Sequence, residues 1–132
     1  MLNILIGGVV LFIFGALWYT VLFGKYWARL MGFDMNDPKM KDGMAKLMII
    51  NFVVNLVVAC SVYYIEPKLF SLSYVEFLST MLVVWLGFSL PIYVNQALWE
   101  KKPWALVFLN SVNGVLAVTI ISALAYYWPK TL

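Results

Sequence analysis

The hydrophobic and polar positions of this chain are arranged in long blocks. No Asp, Glu, Lys or Arg lies between Asn3 and Lys25, between Lys46 and Glu66, between Glu76 and Glu100, or from Pro103 to Pro129. A helix that crosses a bilayer core of about 30 Å needs about 20 apolar residues. Each block meets that length or comes close to it. The pattern therefore predicts four membrane-spanning helices, over residues 2–23, 46–65, 74–98 and 104–128.

The composition favours the same fold class. The chain has 132 residues, of which 64% are hydrophobic and only 11% are charged, whereas a soluble domain is about 25% charged. We therefore predict a single all-α domain, a compact four-helix bundle that is embedded in the lipid bilayer. The net charge of +3 does not indicate a nucleic-acid partner, because the few basic residues lie beside the predicted spans.

The distribution of basic residues predicts an orientation. Of the nine Lys and Arg residues, seven lie in the first and third connections, one in the second connection and one in the C-terminal tail. Loops that are rich in Lys and Arg stay in the cytoplasm. The sequence thus predicts two cytoplasmic loops and both termini outside the cytoplasm.

The first connection is the only long one. Lys25 and Arg29 lie four residues apart, and Tyr26, Trp27 and Leu30 are interleaved with them. This spacing favours a short amphipathic helix that lies on the inner leaflet. The alternative is a plain extension of the first spanning helix into water.

Amide side chains are the polar groups that stand out within the spans, and polar groups in a membrane are costly and informative. With the predicted orientation they all fall in the cytoplasmic half of the bundle. One interpretation is a polar pocket that binds a small neutral or anionic solute. The other is hydrogen bonding between helices, which contributes about 0.6 kcal/mol per bond. The candidate residues are Asn51, Asn55, Asn95, Asn110 and Asn113.

Glycine and proline positions predict where the helices bend or approach one another. Pro91 removes a helix hydrogen bond one turn after Gly87, so the third span should be kinked. Gly8 and Gly15 lie seven residues apart on one face of the first span and allow another backbone to come close. That face is suited to packing within the bundle or to a seam between two copies of the chain.

The second and fourth spans end in similar residues. Tyr63 and Tyr64 precede a Pro-Lys pair, and Tyr126 and Tyr127 precede another. The similarity is compatible with two tandem helical hairpins. Aromatic belts at one membrane surface would produce the same pattern.

The sequence also argues against several kinds of chemistry. The four charge-free blocks contain no carboxylate, which is the usual proton-coupling group within a membrane and which small multidrug antiporters require. Histidine is absent, and the single cysteine, Cys60, lies among apolar residues. No catalytic set is present, so we predict a protein that is not an enzyme and has no cofactor or metal site.

Several motifs resemble a family of small bacterial membrane proteins catalogued as domain of unknown function 1761. They are Gly15-Ala16-Leu17-Trp18-Tyr19, Leu22-Phe23-Gly24-Lys25, Trp85-Leu86-Gly87-Phe88, and Trp99-Glu100 with Pro103-Trp104. The resemblance implies a four-span protein of the bacterial inner membrane with no assigned activity. Members are expected to carry a proline soon after the Trp-Tyr pair, where this chain has Thr20 and Val21. The family-signature positions to test here are Trp18, Tyr19, Lys25, Trp85, Trp99 and Trp104.

Two hypotheses for function follow from these observations. The first is a protein that acts through helix association, as a homo-oligomer or as an accessory subunit of a larger membrane complex. The second is a transporter or channel for a small solute, which would use the amide pocket. The sequence does not indicate which small molecule would bind.

Overall fold

The computed structural model describes residues 1–34, 36–69 and 71–128, and all regular elements within them are helical. Four helical runs are long and apolar enough to cross a membrane, which confirms the predicted all-α fold with four spans. These runs are Leu2–Leu22, Met44–Leu69, Tyr74–Trp99 and Trp104–Tyr127. The α-helices are α1 (Leu2–Ala16), α2 (Gly24–Met31), α3 (Met44–Ile65), α4 (Tyr74–Phe88), α5 (Leu90–Trp99) and α6 (Trp104–Tyr127).

The first span changes its helix type before it ends. Beyond α1, residues Leu17–Leu22 form a π-helical segment, in which Phe23 N–H donates to the Trp18 carbonyl at 3.0 Å. This is an i to i+5 bond, one residue longer than the α-helical bond. The sequence predicted the helix here but not this wider turn.

Helix α2 follows directly and ends at Gly32, whose φ of 72° lies in the left-handed region that glycine adopts without strain. Lys25 and Arg29 are exposed on it, while Ala28 is buried. A short helix is therefore present where the sequence predicted one. Its placement on a lipid surface stays a prediction.

The third span is divided at Ser89 into α4 and α5. The interruption has a local cause, because Pro91 has no N–H to donate to the Gly87 carbonyl. It lies where the sequence predicted a kink. At its other end α4 begins with a capping box, in which Ser73 and Glu76 satisfy each other's backbone N–H groups.

The main hydrophobic core lies toward the end of the bundle where α1 begins and α6 ends. It is formed where α1 packs against α3 and α6, and where α4 packs against α6. Phe77 and Ile121 are completely buried there. The core residues are Leu11, Ala59, Val62, Phe77, Met81, Ile121 and Ala125. By contrast, residues 41–51, which include the first part of α3, are all exposed.

Of the two glycines on the small-residue face of the first span, Gly8 packs against another helix of the chain and Gly15 does not. A Cβ atom on Gly8 would lie 2.5 Å from Leu56 Cδ2 and 3.2 Å from the Leu56 Cα, so α1 and α3 approach closely at this point. A Cβ atom on Gly15 would meet nothing within 4 Å. Close packing within the bundle therefore accounts for Gly8 but not for Gly15.

Candidate functional site

The π-helical segment connects the first span to the fourth. Tyr19 Oη donates a hydrogen bond of 2.7 Å to Asn110 Oδ1 on α6. The Tyr19 ring also contacts Trp27 of α2, with 6.0 Å between the ring centroids. Tyr19 is thereby held from both sides, and the Asn110 amide has its partner inside the bundle.

Trp85 brings the third span to the same face of α6. Gly114 lies one helical turn beyond Asn110, and a Cβ atom there would lie only 2.5 Å from Trp85 Nε1. The indole is 8% exposed, and its ring centroid is 6.5 Å from that of Tyr93. We call Tyr19, Trp85, Tyr93, Asn110 and Gly114 the aromatic–amide cluster.

Three hydrogen-bond donors beside this cluster have no partner among the residues that the structure describes. They are Trp18 Nε1, Ser111 Oγ and Asn113 Nδ2, and all three atoms are buried. A buried polar group without a hydrogen bond costs about 1–3 kcal/mol. A ligand that carries an acceptor atom would remove this cost.

An apolar cleft of about 220 Å³ opens beside Trp18, between the π-helical segment, the start of α2 and the start of α6. Trp18 itself is 7% exposed. We call this space the Trp18 cleft. Its lining residues are Trp18, Phe23, Tyr26, Ala105, Phe108, Leu109 and Val112.

The five amides predicted to form one pocket lie in three places. Asn110 and Asn113 lie on α6 beside the aromatic–amide cluster. Asn55 Nδ2 donates to the Asn51 carbonyl at 2.8 Å and to its Oδ1 at 3.3 Å, so these two form a pair on α3. Asn51 and Asn95 are exposed. No hydrogen bond within residues 1–34, 36–69 and 71–128 connects the α3 pair or Asn95 to Asn110.

The six family-signature positions fall into two groups. Trp18, Tyr19 and Trp85 are buried or half-buried around the inner face of α6. Trp99 and Trp104 are 81% and 59% exposed, and Lys25 is exposed as well. The structure thus separates three positions within the bundle from three at its surface.

Two members of the aromatic–amide cluster, Tyr93 and Gly114, were not predicted from the sequence. Tyr93 was not singled out, although it lies two residues before Asn95 in the same polar stretch. Gly114 was not singled out either, because a glycine that faces an aromatic ring has no signal in the sequence of its own helix. Only the packing of α4 against α6 reveals it.

The second span is also longer than predicted. After α3 the helical run continues through a 3₁₀ turn, Glu66–Leu69, and Glu66 is 2% exposed. The run Tyr74–Trp99 likewise includes Glu76 in its first turn. The absence of carboxylates therefore holds for the charge-free blocks of the sequence but not for the helical runs, and the predicted third span, 74–98, already included Glu76. The predicted span ends before Glu66, whereas the helical run continues to Leu69 and buries this carboxylate near its end.

Comparison with known proteins now identifies the family. A family model described as "Protein of unknown function (DUF1761)" matches residues 2–126. The chain belongs to this family. The match confirms the resemblance inferred from the Trp18-Tyr19 and Trp85-Leu86-Gly87-Phe88 motifs, and the DUF1761 description adds no activity. No curated protein and no solved structure matches the chain.

Proposed function

We propose that this DUF1761 protein is a non-enzymatic membrane protein that acts as a homo-oligomer and associates through α3. The observation that carries the proposal is the Asn51–Asn55 pair on a helix surface that the rest of the chain leaves uncovered. Asn51 is exposed and Asn55 is half-buried. An amide that faces hydrocarbon without a partner costs several kcal/mol.

The exposed apolar residues of α3 do not by themselves indicate association with a second copy of the chain. Leu47 and Ile49 are 59% and 65% exposed, and lipid chains would cover such side chains equally well. The amides differ, because lipid chains offer them no hydrogen bond. The hydrogen bonds of the pair use the Asn55 NH₂ group and leave the Asn51 NH₂ group at the surface.

A second copy of the chain would supply the missing partners. An amide carries both donors and acceptors, so the same pair at the same depth in another copy is complementary to it across a two-fold axis. Such hydrogen bonds contribute about 0.6 kcal/mol on average and at most about 1.7 kcal/mol in membranes. The amides would therefore fix the register, and helix packing would supply most of the affinity.

We further propose that the protein lies in a bacterial inner membrane with both termini outside the cytoplasm. The support is the seven basic residues of the first and third connections, against one each in the second connection and the tail. A reporter enzyme that is active only outside the cytoplasm should be active when it is fused to either terminus. If it is active at one terminus and inactive at the other, the two termini lie on opposite sides of the membrane, which would contradict an even number of crossings.

Cysteine cross-linking tests the association. In a Cys60→Ser background, Val58→Cys places a thiol three residues after Asn55, on the same side of α3. Val57→Cys is the matched control, since it is also an exposed valine but lies about 100° further round the helix. We expect Val58→Cys to form a disulfide-linked dimer in native membranes and Val57→Cys to form little.

The decisive variant adds Asn51→Leu and Asn55→Leu to Val58→Cys. It should lose the cross-linked dimer while its helical content by circular dichroism is unchanged. Equal cross-linking with and without the amides would contradict their role. Equal cross-linking of the two thiol positions would contradict association through this face.

The alternative function, transport through a polar pocket, has less support. It needs amides of the second, third and fourth spans around one cavity. Asn51 and Asn95 are exposed instead, and Asn110 is bonded to Tyr19.

A further inference from the structure

We infer that the Trp18 cleft binds an acyl chain of an anionic phospholipid, and that Trp18 Nε1–H donates to an ester oxygen of that lipid. This inference is independent of association through α3, since the cleft lies between the π-helical segment, α2 and α6. Three observations carry it: the shape and lining of the cleft, the unpaired indole N–H, and the basic residues near the cleft.

The cleft fits part of a hydrocarbon chain. Its volume is about 220 Å³, and an engineered apolar cavity of about 150 Å³ is large enough for benzene. The lining consists of aromatic and aliphatic side chains. Tyr26 and Phe108 are 43% and 73% exposed, so the cleft is open toward the surroundings of the bundle, where the rest of a lipid would lie.

The indole N–H of Trp18 requires the occupant of the cleft to carry a hydrogen-bond acceptor, such as an oxygen atom, as well as a hydrocarbon chain. Trp18 is 7% exposed, it lines the cleft, and its Nε1 has no hydrogen-bond partner among the described residues. An indole N–H can only donate, so a purely apolar occupant would leave it unpaired. Trp18 lies four residues before Leu22, about 6 Å below the end of the span, which is a suitable depth for the ester group of a lipid.

Basic residues favour a negatively charged headgroup. Lys25 directly precedes Tyr26, and Lys101 and Lys102 lie just before the start of α6. No salt bridge involves these three lysines within the part of the chain that the structure describes. Each Lys near a membrane surface adds about 1 kcal/mol to the attraction of anionic lipid, so phosphatidylglycerol should bind more tightly than phosphatidylcholine.

Native mass spectrometry of the purified full-length protein, titrated with each of these two lipids in detergent, measures the first lipid bound. Trp18→Phe keeps a six-membered aromatic ring and removes the N–H together with the five-membered ring, so phosphatidylglycerol should bind at least about fivefold more weakly, the equivalent of one neutral hydrogen bond. Trp99→Phe is the control, because Trp99 is exposed and lies outside the cleft. It should bind as the parent protein does.

A second pair of variants tests the cleft itself. Val112→Phe fills it and should weaken binding by more than tenfold. Val115→Phe makes the same change at an exposed position of α6 outside the cleft and should change binding less than twofold. A third variant, Lys101→Gln with Lys102→Gln, should remove most of the preference for phosphatidylglycerol over phosphatidylcholine.

A spectroscopic readout covers the case in which Val112→Phe does not fold. Phosphatidylglycerol with brominated chains quenches only nearby indoles, and Trp18→Phe should remove most of the quenched fluorescence. The inference is overturned if Trp18→Phe binds as the parent does and leaves the quenched fraction unchanged. It is also overturned if phosphatidylcholine binds equally well. Either result would leave the α3 cross-links unaffected, so failure here is distinguishable from failure of the proposed association.

Discussion

Replacing Gly114 with alanine should destabilise the bundle through a single contact. The added Cβ atom would lie 2.5 Å from Trp85 Nε1 and 2.8 Å from two ring carbons. An indole cannot bend away from such a clash, so the whole ring must shift. Trp85 is 8% exposed and its ring contacts Tyr93, so this shift disturbs the contact between α4 and α5 as well.

The size of the loss in stability caused by Gly114→Ala follows from a comparison with Gly87→Ala. Overpacking a filled core costs about 1–3 kcal/mol, while alanine in place of glycine stabilises a helix by up to about 1 kcal/mol. Gly87→Ala also gains helix propensity, although less because Gly87 lies in the last turn of α4, and its Cβ atom would meet nothing within 4 Å. Most of the propensity gain cancels between the two variants. Gly114→Ala should therefore be less stable than Gly87→Ala by about 1–3 kcal/mol.

Reversible unfolding in mixed micelles with increasing sodium dodecyl sulfate measures this difference, with helical content by circular dichroism as the signal. Trp85→Phe supplies the internal check, since a smaller ring leaves room for the methyl group. In a double-mutant cycle, Trp85→Phe should recover most of the loss caused by Gly114→Ala. If Gly114→Ala and Gly87→Ala are equally stable, the contact between the indole and α6 is not as close as described.

Two further predictions concern contacts between the first span and its neighbours. Gly8→Ala should be about 1–3 kcal/mol less stable than the control Gly15→Ala, because the Leu56 backbone cannot move away without separating α1 from α3. Equal stability of the two variants in the same unfolding assay would contradict this prediction. Tyr19→Phe and Asn110→Leu should show a coupling energy of about 0.6–1.7 kcal/mol in a double-mutant cycle, and a coupling of zero would show that their hydrogen bond does not hold the spans together.

The four spans could be predicted because charge is excluded from hydrocarbon, and that exclusion is visible in the sequence alone. The predicted bounds differ from the observed ones by a few residues. The largest difference is at the end of the second span, where a buried Glu66 follows α3. The interruption near Pro91 was equally predictable, because the missing N–H is a property of the residue itself.

The rotation of each helix about its axis could not be predicted. A span that is apolar on all sides has no polar face to show which side meets a neighbour. Spacing correctly placed Asn51 and Asn55 on a shared face, yet it could not show that this face is exposed while Asn110 meets Tyr19. For the same reason Gly8 and Gly15 were equivalent in the sequence, and only the crossing point of α1 and α3 distinguishes them.

The wider turn at Leu17–Leu22 has a consequence for how this family can vary. A segment bonded from i to i+5 holds one residue more in each hydrogen-bonded ring than an α-helix does, so one residue could be deleted there and the backbone would still close its ring. The same deletion within α1 would rotate every following side chain by about 100° and would break the packing at Gly8. Length differences between the first spans of relatives should therefore be concentrated just before Phe23.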